Sequence, residues 1–280
     1  MKKFLAVLDG FSMSKSTLDY AIQVTQATNA HLVGVFLDEF TYRSYNVAKV
    51  MKTYKNYEEK MKELDAKDKE KRDQAAHHFQ KECSKSGIQY SVHRDKGFAI
   101  NDLKRECMFA DLMIINEFET FAKNKQESPT RFMKDLLGDV QCPVLVVPNK
   151  FKIIDKIVLL YDGGPSSLYA VKMFSYLFGT FKELPVEVYT VIHNARGSLR
   201  VPENKLMREF IKRHFPKANF ILAKGSPEEK IIGHLSNQKE NEMVVLGAYR
   251  RSEMSRLFKT SMADTLMKEL DTPLFIAHNK

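Results

Sequence analysis

Short runs of Val, Ile, Leu and Phe recur along the chain, and between them lie helix-length stretches in which apolar positions return every three or four residues. In order, the runs are 5–8, 31–37, 88–93, 112–115 and 144–147, then 157–161, 186–192, 219–223, 243–246 and 274–276. Most are apolar throughout rather than alternating, as in strands covered on both faces, and parallel sheets packed between helix layers have such strands. The pattern predicts an α/β protein with two doubly wound, five-stranded parallel-sheet domains.

The two sets of runs match segment by segment. Leu8-Asp9-Gly10 corresponds to Tyr161-Asp162-Gly163, Lys96-Gly97 to Lys224-Gly225, 111–117 to 241–247, and 142–148 to 272–278. Mates lie 128 residues apart at Gly97 and Gly225 and 130 apart at both Glu117/Gly247 and Pro143/Pro273, but 153 apart at Asp9/Asp162. That mismatch of 25 residues predicts an insertion in the first copy, and 42–85 is the stretch that fits. It holds no Gly or Pro and interleaves Lys with Glu and Asp, so it reads as a long solvated helix rather than a nucleic-acid-binding arm. The expected domains are 1–149 and 150–280, joined through a short charged segment near 149–155.

The total of 280 residues agrees with a duplication, and 44% hydrophobic with 28% charged residues excludes wholesale disorder. The net charge of +9 comes from 44 basic and 35 acidic residues, a mixed surface that gives no reason to expect a nucleic-acid partner. Asp9 interrupts the N-terminal apolar stretch before a signal core can form. No run approaches the roughly 18 residues of a bilayer span, so a cytoplasmic protein with no membrane partner is expected. Cys83, Cys107 and Cys142 are three and widely spaced, which yields neither a disulfide framework nor a metal motif. The histidines show no metal-ligand spacing, and Ser12-Met-Ser-Lys15 lacks the partner motifs of a penicillin-binding enzyme.

Ligands of open parallel sheets settle at the carboxyl ends of the strands, so candidate residues must follow strands. Asp9-Gly10 and Asp162-Gly163 both do; each aspartate can either accept from a ligand hydroxyl or amino group or cap the following turn. The run Leu246-Gly247-Ala-Tyr-Arg250-Arg251, followed by Thr260-Ser261 at a helix start, resembles the nucleotide loop of the universal stress protein family. That loop has Gly-x-x-Gly, nine residues, then Gly-Ser or Gly-Thr. Gly225-Ser-Pro-Glu-Glu-Lys-Ile-Ile232 and Thr272-Pro-Leu-Phe-Ile276 are similar to the same family.

The resemblance spans both copies outside the insertion and implies a tandem member that is a non-catalytic stress-response or regulatory module with at most one, degenerate, adenine-nucleotide site. It implies an adenine-nucleotide site in the second copy formed by Asp162, Gly163, Val191, Gly247, Arg250, Thr260 and Ser261, with magnesium entering only alongside ATP. Arg250 and Thr260 stand where the family has glycines, so the arginines either replace close backbone approach to phosphate with their own contacts or fill the pocket or stay in solvent. The first copy departs further: its equivalents are Asp9, Val35, Glu117 and Thr130, and a carboxylate at Glu117 would repel a triphosphate. Slow ATP hydrolysis, or sensing of another small ligand, stays open as an alternative, as does a protein partner. The resemblance also implies pairing of the last strands of the two copies, an intramolecular pseudo-dimer that buries two edges.

Overall fold

The computed structural model describes residues 1–37, 42–95, 99–122, 126–193, 199–237, 240–248 and 261–278. Each of the ten expected strands forms. The first copy runs β1 (Lys3–Leu8), α1 (Lys15–Thr28), β2 (His31–Leu37), α2 (Val47–Thr53), α3 (Tyr57–Lys85), β3 (Gln89–Asp95), α4 (Ala99–Cys107), β4 (Leu112–Asn116), α5 (Arg131–Leu137) and β5 (Val144–Val147). The second runs β6 (Lys156–Leu160), α6 (Pro165–Leu177), a 3-10 turn (Gly179–Glu183), β7 (Val186–Ile192), α7 (Asn204–His214), β8 (Asn219–Lys224), α8 (Pro227–Ser236), β9 (Glu242–Gly247), α9 (Met262–Glu269) and β10 (Leu274–Ala277).

All ten strands form one sheet in the order β3-β2-β1-β4-β5-β10-β9-β6-β7-β8. Pairing is parallel within each set of five, and β5 meets β10 antiparallel, with Phe275 opposite Leu145. The sheet is thus two copies of the order 3-2-1-4-5 joined at their last strands. Each four-residue last strand is wholly buried, so the join covers two edges that would otherwise invite pairing with another chain. Strand order reverses at β1/β4 and again at β6/β9, which creates two crevices at strand carboxyl ends.

Alternation along the strands divides the core into two layers. Phe4, Ala6 and Leu8 face one layer with α1, α3, α6 and α7, whereas Leu5 and Val7 face the other with α4, α5, α8 and α9. The first layer crosses the join, since the Phe4 ring lies 6.1 Å from Phe178, beyond α6.

The extra length of the first copy lies before β3, where the 29-residue α3 and the short α2 stand against the 11-residue α7 of the second copy. This helix is not a solvated rod alone. Asp68, Ala76, Phe79 and Cys83 are buried along one stripe. Phe79 lies directly over Gly34 of β2, where an added Cβ would stand 2.7 Å from the ring. Asp68 accepts from the Ser44 amide at 2.9 Å and from its hydroxyl, which ties the chain before α2 to the helix.

Candidate functional site

In the first copy, Asp9 directly follows β1 and is 5% exposed. Its Oδ1 accepts from the Phe11 amide at 2.9 Å, a turn-capping bond, and its Oδ2 accepts from the Tyr42 hydroxyl at 2.8 Å. Arg72 of α3 donates to the Tyr42 carbonyl at 2.6 Å, and its guanidinium sits 4.4 Å above the Phe11 ring. Phe11 and Tyr42 meet edge to face at 5.1 Å. Gly10 completes the packing, because a Cβ there would come within 2.7 Å of Arg72 Cγ. Tyr42 and Arg72 of the insertion, together with Phe11 of the first-strand turn, therefore fill the first copy's crevice beside Asp9 with an aromatic pair and a guanidinium.

Burial raises the Asp9 carboxyl above its ordinary range, while the Phe11 amide, the Tyr42 hydroxyl and the Arg72 charge pull it back. Two further carboxylates share this end of the sheet. Glu119, partly buried and facing the Asp9 charge, is pushed up to about 7, although it accepts from the Phe121 and Thr120 amides. Glu117 reaches about 7 through burial and the Asp271 charge, against a bond from the Ser128 hydroxyl at 3.2 Å. Thr130 caps α5 by accepting from the Met133 amide at 3.1 Å and donates to the Glu119 carbonyl at 2.6 Å. Val35 is fully buried inside β2, paired with Val7 and His93.

The second copy repeats the turn with a different surround. Asp162 Oδ1 accepts from the Gly164 amide at 2.7 Å and from the Ser167 hydroxyl at 2.5 Å. Its Oδ2 has no partner among the described residues, and the side chain is exposed. Gly163 has φ +84°, the left-handed region, and a Cβ there would strike Pro202 at 2.5 Å. Gly247, at the end of β9, allows the first turn of α6 to approach, since a Cβ would stand 2.4 Å from the Ser166 backbone. This glycine has a packing role whether or not a ligand binds. Ser261 caps α9, accepting from the Ala263 amide at 3.3 Å, and Val191 is partly buried opposite Ala223. Arg250 and Thr260, with the neighbouring Arg251, Arg256 and Lys259, lie outside the described residues, as do Lys96 and Gly97.

The crevices thus hold the expected first-strand aspartates, and Ser166 links Gly247 to the Asp162 turn. Sequence reasoning missed Phe11, Tyr42, Arg72 and Glu119. One signal was present: Asp9-Gly10 is followed by Phe11, where Asp162-Gly163 is followed by Gly164, so only the first copy supplies a ring of its own at that point.

An adenine nucleotide does not fit beside Asp9, where both carboxylate oxygens are engaged and Tyr42 and Arg72 occupy the space. Beside Asp162 the side chain is exposed and its Oδ2 has no partner among the described residues, which leaves it an acceptor for a ligand donor. Among the described residues no group of three or more His, Cys, Asp or Glu could hold a metal ion, and no helix is long and apolar enough to cross a membrane.

Two pseudo-symmetric 3-2-1-4-5 sheets, joined last strand to last strand, are the fold of the universal stress proteins. A universal stress protein from Archaeoglobus fulgidus superposes with a TM-score of 0.67 at 12% identity, covering 99% of this chain and 96% of that one. A proposed universal stress protein from Pseudomonas aeruginosa superposes with a TM-score of 0.60 at 12% identity, covering 99% and 92%. A protein of unknown function from the same species gives the same values. No protein-family model matches the sequence, and no curated protein matches it.

Proposed function

We propose that the chain is a tandem universal stress protein, with copies 1–149 and 150–280, that serves as a non-catalytic cytoplasmic regulatory module and takes at most one adenine nucleotide, in its second copy. The difference between the two equivalent aspartates carries this reading. Each uses Oδ1 to hold the amide two residues on, but Asp9 Oδ2 already takes the Tyr42 hydroxyl whereas Asp162 Oδ2 has no partner among the described residues. A ribose hydroxyl or adenine amino group offers the same kind of donor that Tyr42 supplies in the first copy. Gly163 and Val191 would flank the nucleoside. Ser261 at the start of α9 would meet an anionic group at the positive end of that helix, joined by Arg250 and Thr260, and magnesium would enter only with ATP.

The same asymmetry argues against turnover. Phosphoryl transfer to water needs a group that positions the water. Glu117 and Glu119 have the raised carboxyl pKa suited to a base, but they stand in the closed copy. The open copy has Gly247 at the position of Glu117.

Calorimetric titration with ATP, ADP and AMP in the presence of magnesium tests the reading. A single site that Ser261→Arg abolishes, with no phosphate release, supports it; two sites or sustained turnover refutes it. Silence with all three nucleotides would leave a partner-binding module and remove the nucleotide from the proposal.

A further inference from the structure

The space that Phe11, Tyr42 and Arg72 fill in the first copy has a counterpart in the second that is not filled. There a cavity of about 320 Å³ opens between the start of α6 and α7, lined by Tyr161, Gly164, Leu168, Glu203, Met207 and Phe210 among others. The correspondence is positional: Arg72 of α3 abuts Gly10, Pro202 just before α7 abuts Gly163, and both helices pack on the same layer of the core. Where the first copy places the Phe11 ring, the second has Gly164 and an open volume.

We propose that this cavity binds a planar aromatic small molecule carrying a cationic group. Its walls are almost wholly apolar, and its volume sits at the low end of the roughly 300–1,000 Å³ range of small-molecule sites, enough for a bicyclic ring with a short arm. Among the described residues no Lys or Arg lines it. Glu203 does, at the N-cap position of α7, and its side chain makes no capping bond. Its charge and that of Asp162 reach the buried Tyr161, adding to burial in raising the phenol. The Tyr161 hydroxyl has no hydrogen-bond partner among the described residues, so a polar group of the cavity is left for an occupant. The first copy indicates the chemistry of that occupant, since its own chain puts an aromatic pair and a guanidinium in the equivalent space.

This site meets the proposed nucleotide site at Gly163 but extends into the other layer of the core. Tyr161 and Met207 belong to the core layer of α6 and α7, whereas Val191 and the α9 helix that Ser261 caps pack on the opposite face of the sheet. Failure of nucleotide binding leaves the inference standing, and failure of the cavity leaves the nucleotide reading standing.

The protein contains no tryptophan, so indole fluorescence reports a ligand against little background. The full chain is titrated into tryptamine, and separately into indole-3-propionate, which carries the same ring with the opposite charge. Saturable anisotropy is expected for tryptamine with a submillimolar Kd, and markedly weaker binding for the anion. Leu206→Arg, at a rim residue that is 63% exposed and therefore tolerant of substitution, abolishes the signal while circular dichroism stays unchanged. Glu203→Gln weakens tryptamine roughly twofold to fivefold, the size of an exposed ion pair. Equal binding of the two indoles, wild-type binding by Leu206→Arg, or no saturable binding of tryptamine overturns the proposal.

Discussion

Removing one hydroxyl tests the closure of the first copy. Tyr42→Phe keeps the ring that packs on Phe11 and the backbone carbonyl that Arg72 grips, and deletes only the bond to Asp9 Oδ2. Asp9 is 5% exposed, so water cannot simply replace the lost donor. A hydrogen bond to a charged group contributes about 1.5–3 kcal/mol, and that is the expected loss at pH 7 in urea denaturation of the full chain, with the m-value unchanged. Burial sets the folded Asp9 pKa above its unfolded value, so the group costs stability as pH rises from the unfolded pKa through the folded one. The Tyr42 hydroxyl opposes that rise, so the variant loses more at pH 7 than at pH 4, where a protonated carboxyl needs the donor less. In an Asp9→Asn background the same change should cost under about 1 kcal/mol, which isolates the pair. A loss below about 0.5 kcal/mol in the wild-type background, or an equal loss in both, would refute the claim that Tyr42 occupies the Asp9 carboxylate.

Other consequences can be measured on the same preparation. Gly247→Ala forces a Cβ to within 2.4 Å of the Ser166 backbone and should cost about 1–3 kcal/mol in the same denaturation assay; unchanged stability would show that α6 does not need this approach. Glu242 is buried with neither carboxylate oxygen bonded, and burial together with the Glu187 and Glu240 charges lifts it to about 7 despite Lys156. Its folded pKa is thus above the unfolded one, so it withdraws stability as pH rises from about 4.5 through about 7. Glu242→Gln should therefore be more stable than wild type at pH 8, with the gain shrinking toward pH 5, and a gain that grows on acidification would contradict this. A chain cut to residues 150–280 bares the β10 edge and should self-associate in sedimentation; a well-behaved monomer at high concentration would count against the β5–β10 join as a necessary cover.

Much of the fold was legible because each strand is a local apolar run and each copy repeats the same series. Pro143 and Pro273, 130 residues apart, even announce the paired last strands. The closure of the first copy was not legible, since Phe11, Tyr42 and Arg72 come from three segments that meet only through tertiary packing. Inside the insertion the clue was narrow. Asp68, Arg72, Ala76, Phe79 and Cys83 recur every three or four residues, one inward stripe on a helix otherwise crowded with charge. Gly247 shows the opposite difficulty, because a glycine at a strand end serves close helix packing and close ligand approach equally well in sequence. Asp9 and Asp162 likewise share one turn, and only the three-dimensional surround separates an engaged carboxylate from an open one.

The copies are set apart by whether the chain itself occupies the first-strand aspartate's Oδ2, and the stoichiometry of ATP binding in equilibrium dialysis with magnesium tests that difference most directly. Asp162→Asn keeps an acceptor for the Gly164 amide and replaces the open Oδ2 by an amide nitrogen, and Asp9→Asn makes the equivalent change in the closed copy. One ATP per chain is expected, undiminished in Asp9→Asn and weakened at least about tenfold in Asp162→Asn, the scale of losing a hydrogen bond to a charged group. Two ATP per chain, or binding that falls in Asp9→Asn and survives in Asp162→Asn, would contradict it.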